Sequence, residues 1–177
     1  TKPSLVVLGD DNALKYLGPK LAKKNTPVVY LGINRDPADY LDSDTDNFTG
    51  VLERPLLERS LYTIKKVVGK DVKKILVLFD SGTTSKASLA HFFKGQDRIS
   101  LYGITIDLKL IGDWDEWQQT VVSAKRNGYD AMIVGLYHTI FNKNGSHIDG
   151  EKVLAWTSKN TTIPPFAFWD FTVGPDK

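Results

Sequence analysis

Cysteine does not occur in this chain, and neither sign of charge dominates it. The first absence excludes a disulfide framework and any thiolate metal site. It is compatible with either side of a bacterial membrane. Lys and Arg together number 23 against 21 Asp and Glu, and no basic block or Arg-rich stripe interrupts the sequence. Nucleic acid is therefore not an expected partner. No apolar run approaches the roughly 20 residues that cross a bilayer, so no membrane insertion is expected within this segment. A leader pattern is missing too. The chain opens Thr1-Lys2-Pro3 without an initiator Met, which reads as a processed or excised segment.

What remains is ordinary globular composition. With 41% hydrophobic and 25% charged residues over 177 positions, the chain can bury one sizeable core or two small ones. Apolar runs at 5–8, 27–31, 75–79, 104–111, 131–136 and 166–168 predict strands. Between them, helical spacing predicts helices over 13–24, 56–68, 86–94, 114–127 and about 150–158. Asp11 or Asn12 is the expected cap of the first helix, and Gly69 the expected stop of the second. Asp113 with Glu116 three residues on forms a capping-box pattern. Such alternation predicts an α/β fold, Rossmann-like, with parallel sheets and helices on both faces.

Residues 5–36 and 131–170 repeat one plan of strand, polar tip, helix, turn-Pro junction, strand and polar tip. Two lobes of like topology account for this most economically. The most informative stretch is 26–51, TPVVYLGINRDPADYLDSDTDNFTGV. There a buried strand ends in Gly32 and presents Asn34, Arg35 and Asp36, the way open α/β sheets build ligand crevices.

The wording of that stretch resembles substrate-binding proteins of ABC transporters, in the branch that takes amino-acid-like or unassigned ligands. The carrying residues are Thr26-Pro27-Val28-Val29-Tyr30-Leu31-Gly32-Ile33-Asn34, then Asp36-Pro37, then Asn47-Phe48-Thr49-Gly50-Val51. Lys73-Lys74-Ile75-Leu76-Val77-Leu78 with Asp80-Ser81, and 162–171 with its Trp169-Asp170, are similar to that family's second lobe. The same module resembles ectodomains of histidine kinases and cyclase-type signalling proteins. The resemblance implies the periplasmic-binding-protein-like I fold, two lobes joined by a hinge with a small-molecule ligand in the cleft. It implies a periplasmic or other extracytoplasmic location and a partner that is a membrane permease or a fused signalling domain. Strands that this family carries before Ser4 and after Val173 have no counterpart here. On that mapping 1–51 is the later half of lobe one, 52–56 the crossover, and 57–177 lobe two.

Site candidates sit at strand ends. Asp10 and Asp11 open a helix, and both capping and ligand contact suit them. A receiver-type acidic Mg²⁺ pocket is not expected, because Asp80 comes too late and the final strand lacks the required Lys. Asn34 is a better crevice residue than Arg35, which reads as a surface turn with Asp36. Ser81, Gly82, Thr83 and Thr84, with Ser85, precede a helix and form either an anion-binding nest or a plain strand-to-helix turn. The loop lacks P-loop spacing. Tyr137 with His138, and Trp169 with Asp170, put aromatic faces beside polar groups, which suits a small organic ligand.

His91 and His147 have no partners at metal spacing, so neither a metal nor a cofactor is expected. Ser81, His138 and Asp170 are one each of nucleophile, base and acid. Ser81 nevertheless lacks the Gly-x-Ser-x-Gly elbow, and a non-catalytic binder is expected. The competing expectation is an enzyme of flavodoxin-like or hydrolase-like architecture using Ser81, His138 or the Asp10–Asp11 pair.

Overall fold

Six residues, Lys74–Phe79 (KILVLF), organise most of the chain, because a strand this apolar must be covered on both faces. The structure is a computed structural model that describes residues 2–42 and 45–174. It divides into two compact units, Thr1–Arg54 and Pro55–Lys177.

The smaller unit carries strands β1 (Val6–Gly9), β2 (Val28–Ile33) and β3 (Phe48–Leu52), with helix α1 (Asp11–Ala22). Its strands pair in parallel in the order β1-β2-β3. Leu8, Leu14, Val28 and Ile33 form its buried core between the sheet and α1. A register shift between Tyr30 and Ile33 marks the bend at Gly32, where φ is +67°.

The larger unit holds α2 (Leu57–Val68), β4 (Lys74–Phe79), α3 (Thr83–Phe92), β5 (Arg98–Leu101), β6 (Ile104–Leu110), α4 (Trp114–Ser123), β7 (Ala131–Val134), α5 (Gly150–Asn160) and β8 (Pro165–Ala167). The strand order is β5-β6-β4-β7-β8, parallel except for the β5–β6 hairpin. Alternation along β4 sends Leu76 and Leu78 to one face, against Trp117, Val121, Val153 and Leu154. Ile75, Val77 and Phe79 go to the other, against Leu57, Leu61, Ile64 and Phe93. Central β4 thus joins two hydrophobic layers.

The fold is α/β, with two parallel-rich sheets flanked by helices, as the alternation predicts. The predicted strands and helices are all present, with shifted ends. The helix expected from 86 begins at Thr83, and the strand expected to reach 136 ends at Val134. Asp113 caps α4 by accepting from the Glu116 N–H at 2.9 Å, and the Gly69 N–H closes α2 on the Lys65 carbonyl. One cap is corrected: Asp10, rather than Asp11 or Asn12, caps α1, at φ +76°. Strand β3 is absent from the predicted strands, and so is strand β5. The latter is a short edge strand joined to β6 through a tight turn at Tyr102-Gly103, both at positive φ.

Candidate functional site

Strands β4, β6, β7 and β8 run parallel, so their C-terminal ends and following loops gather along one edge of the larger sheet. Asp80 organises that edge and is 3% exposed. Its Oδ1 accepts from the Gly82 N–H at 3.0 Å and from the Ser85 hydroxyl. Its Oδ2 accepts from the Thr139 N–H, 59 residues away, at 3.0 Å. The carboxylate therefore ties the start of α3 to the segment following β7. A negative charge at a helix N-terminus is favoured, so α3 already holds an anion of its own.

That changes the meaning of the 81–85 loop. Gly82 is the N-cap of α3 and Thr83 its first residue, with Thr84 in the same turn. An incoming anion would meet the Asp80 carboxylate there. Hydroxyl groups remain available. Thr83 is exposed, and Ser81 and Thr84 are half-buried. Ser81 packs so closely on the β6–α4 loop that a Cβ on Gly112 would lie 2.3 Å from its Oγ.

The same edge carries a run of rings. Phe79 meets Trp169 edge-on at 6.2 Å between centroids, and Trp169 stacks on Phe171 at 5.8 Å and 16°. Phe171 approaches His138 at 6.0 Å, and His138 stacks on Tyr137 at 4.3 Å. Tyr137 is buried, and that burial is the main cause of the upward shift of its hydroxyl pKa. His138 and Asp170 are exposed, and Trp169 is half-buried. Asp170 opens a short 3-10 turn, Asp170–Thr172. Ser81, Gly82, Tyr137, His138 and Trp169 thus line one edge. Asp80, Thr139 and Phe171, neighbours of those residues in the same loops, belong to it as well, and Phe79 is the member that the sequence did not point to.

Among the described residues no hydrogen bond joins Ser81, His138 and Asp170. The His138 ring rests on Tyr137, and its carbonyl lies 2.7 Å from the His147 Nε2. Nor does any group of three or more His, Asp or Glu side chains converge as metal ligands among the described residues. A groove of about 900 Å³ lies away from this edge, between the start of α2, the end of α3 and β5.

The smaller unit has its own polar knot at the end of β2. Asp11, 7% exposed, accepts from the Asn34 N–H at 2.9 Å, the Arg35 N–H at 3.0 Å and the Tyr40 hydroxyl at 3.1 Å. Desolvation, then the Asp11 charge, pushes the Tyr40 pKa up to about 12. Arg54 grips the same turn from its carbonyl side, donating to Ile33, Asn34 and Glu53. The Asn34 side-chain amide donates to Asp11 and Gly32, whereas its buried Oδ1 has no donor among the described residues. Asp11 is thus fully engaged within the protein, while exposed Asp10 accepts only the Asn12 N–H among the described residues. Sequence reasoning missed Tyr40 here, and it missed Arg54. The signal for Arg54 was slight, a lone Arg before Pro55.

No protein-family model matches this chain, and no curated protein sequence matches it significantly. Among the described residues no helix is long and apolar enough to cross a membrane.

Proposed function

We propose that this chain is a solute-binding protein of the kind that serves ABC-type transporters, holding a small organic ligand without chemistry. The observation that carries the reading is the C-terminal edge of the larger sheet. There the rings of Trp169, Phe171 and His138 share one edge with the hydroxyls of Ser81, Thr83 and Thr84, and Asp80 fixes the loops that carry Ser81 and His138. Partly exposed rings next to hydroxyls recognise a ligand with a flat or apolar body and hydrogen-bonding ends. Rings stacked on each other and a histidine unlinked to Ser81 suit retention rather than nucleophilic attack.

The resident Asp80 carboxylate selects among ligands. A zwitterionic or neutral molecule, amino-acid-like in size, is favoured over a bare anion at α3. A membrane permease, or a signalling domain fused to the chain, would read the bound state.

Titration calorimetry against amino acids, small amides and small carboxylates tests this. Saturable binding is expected, weakened on the order of tenfold by Trp169→Ala through the lost ring contact. No heat with any of these compounds, or turnover that disappears in Ser81→Ala, would overturn the reading.

A further inference from the structure

The lysines at the end of α1 do not form a block in sequence, yet Lys20 and the C-cap Lys23 come onto one face of the helix, with Lys15 outside it. Tyr16, Leu17, Lys20 and Lys23 fall within about 120° of one another around the helix axis. Lys24 follows in the turn and joins Lys2 and Lys23 in lining a recess of about 580 Å³. No acidic residue occurs between Asp11 and Asp36, although acids and bases nearly balance over the whole chain. Among the described residues no carboxylate lies within ion-pairing distance of Lys2, Lys15, Lys20, Lys23 or Lys24. All five are exposed.

A positive charge in the last turn complements the helix dipole, which accounts for Lys20. It does not account for Lys2 or Lys15, or for an aromatic and a leucine placed between the lysines. Tyr16 is 62% exposed and Leu17 46% exposed, and Lys15 lies over the Tyr16 ring at 5.3 Å.

We propose that this face of α1, with Lys2 and Lys24 beside it, docks on an anionic lipid bilayer. Charge complementarity selects an acidic surface. The interleaved Tyr16 and Leu17 select a lipid one, since an amphipathic ring and an aliphatic side chain settle at headgroup depth while lysines reach the phosphates. Lysine without arginine also suits a diffuse plane of charge better than bidentate capture of individual phosphates in nucleic acid. The face is distinct from the proposed solute edge and does not depend on it.

Co-sedimentation of the full chain with vesicles tests the proposal. The vesicles are phosphatidylcholine alone, or phosphatidylcholine and phosphatidylglycerol in equal parts. Binding is expected to the second only, and to weaken as salt rises. Lys20→Glu/Lys23→Glu/Lys24→Glu lowers partitioning on the order of a hundredfold or more, each lysine being worth about a factor of five near such a surface. Tyr16→Ser/Leu17→Ser weakens binding and leaves its salt dependence intact. Lys66→Glu/Lys70→Glu/Lys125→Glu, on exposed lysines of the larger unit, leaves binding unchanged. Circular dichroism checks each fold, and Lys→Gln replacements at the same three α1 positions give the same direction should the glutamates disturb it. Equal binding to neutral vesicles, an unaffected α1 variant, equal loss in the control variant, or retention on heparin without vesicle binding would each overturn the proposal.

Discussion

Buried carboxylates carry much of the specificity of this molecule at the scale of single residues, and Asp107 shows how. It sits in β6 at 5% exposure, between the Arg98 guanidinium, the Tyr129 hydroxyl at 2.8 Å and the Lys74 ammonium at 3.5 Å. Hydrogen bonding from Arg98 is the largest cause of its pKa falling from 3.8 to about 2. A carboxyl with a depressed folded-state pKa stabilises the fold above its unfolded value, and that contribution fades as pH falls through the folded one. The window therefore runs from 3.8 down to about 2, and the contribution above it is on the order of 1–2 kcal/mol. Urea unfolding of the wild type and Arg98→Ala should differ at neutral pH and converge at the acid end of that window. A gap that persists unchanged to pH 2 would refute the assignment. Asp11 and Asp80 teach the complementary lesson about legibility. The sequence marks both as residues at strand ends, but their partners lie 23 and 59 positions away. A pattern of short range cannot show that a carboxylate is already spent on its own backbone.

Strands and helices were legible where one physical rule governs them. The buried runs of β4 and β7 stand out because both faces are covered, and the Asp113 cap and the Gly69 stop are local chemistry. Strand β5 escaped because an edge strand needs little apolar character, and Arg98 and Ser100 on it face solvent. The lysine face of α1 escaped for a related reason, since its residues are neighbours only after the helix winds them together. Close packing between elements is equally invisible in sequence, and Gly135 is an instance. A Cβ there would come within 2.5 Å of the Phe79 ring, which itself abuts Phe168 and Trp169. Gly135→Ala should force that ring aside at a cost of about 1–3 kcal/mol and shift tryptophan emission by way of Trp169. Pairing it with Phe79→Leu should recover part of the loss. Wild-type melting and emission in Gly135→Ala would show that the aromatic edge is not coupled to β7 in this way.

The unequal cores of the two units govern the molecule as a whole. Four fully buried apolar residues, Leu8, Leu14, Val28 and Ile33, form the core of the smaller unit among its described residues. Leu5, Val7, Leu31 and Val51 of that unit are each at least 48% exposed, although parallel sheets are ordinarily covered on both faces. The larger unit closes both faces of its sheet with extensive buried layers. Stability scales with what is buried, so the smaller unit should unfold at lower denaturant than the larger one. The sequence supplies the means to see this. All four tryptophans, Trp114, Trp117, Trp156 and Trp169, lie in the larger unit. Tryptophan fluorescence should therefore follow that unit alone, while far-ultraviolet circular dichroism follows both. During urea titration the dichroism is expected to start falling before the fluorescence moves, a departure from two-state behaviour. Leu14→Ala removes a fully buried side chain from the small core, at about 2–5 kcal/mol. It should draw the early phase to still lower urea and leave the fluorescence midpoint in place. Coincident transitions in the wild type, or a fluorescence midpoint that moves with Leu14→Ala, would mean that the two cores unfold as one.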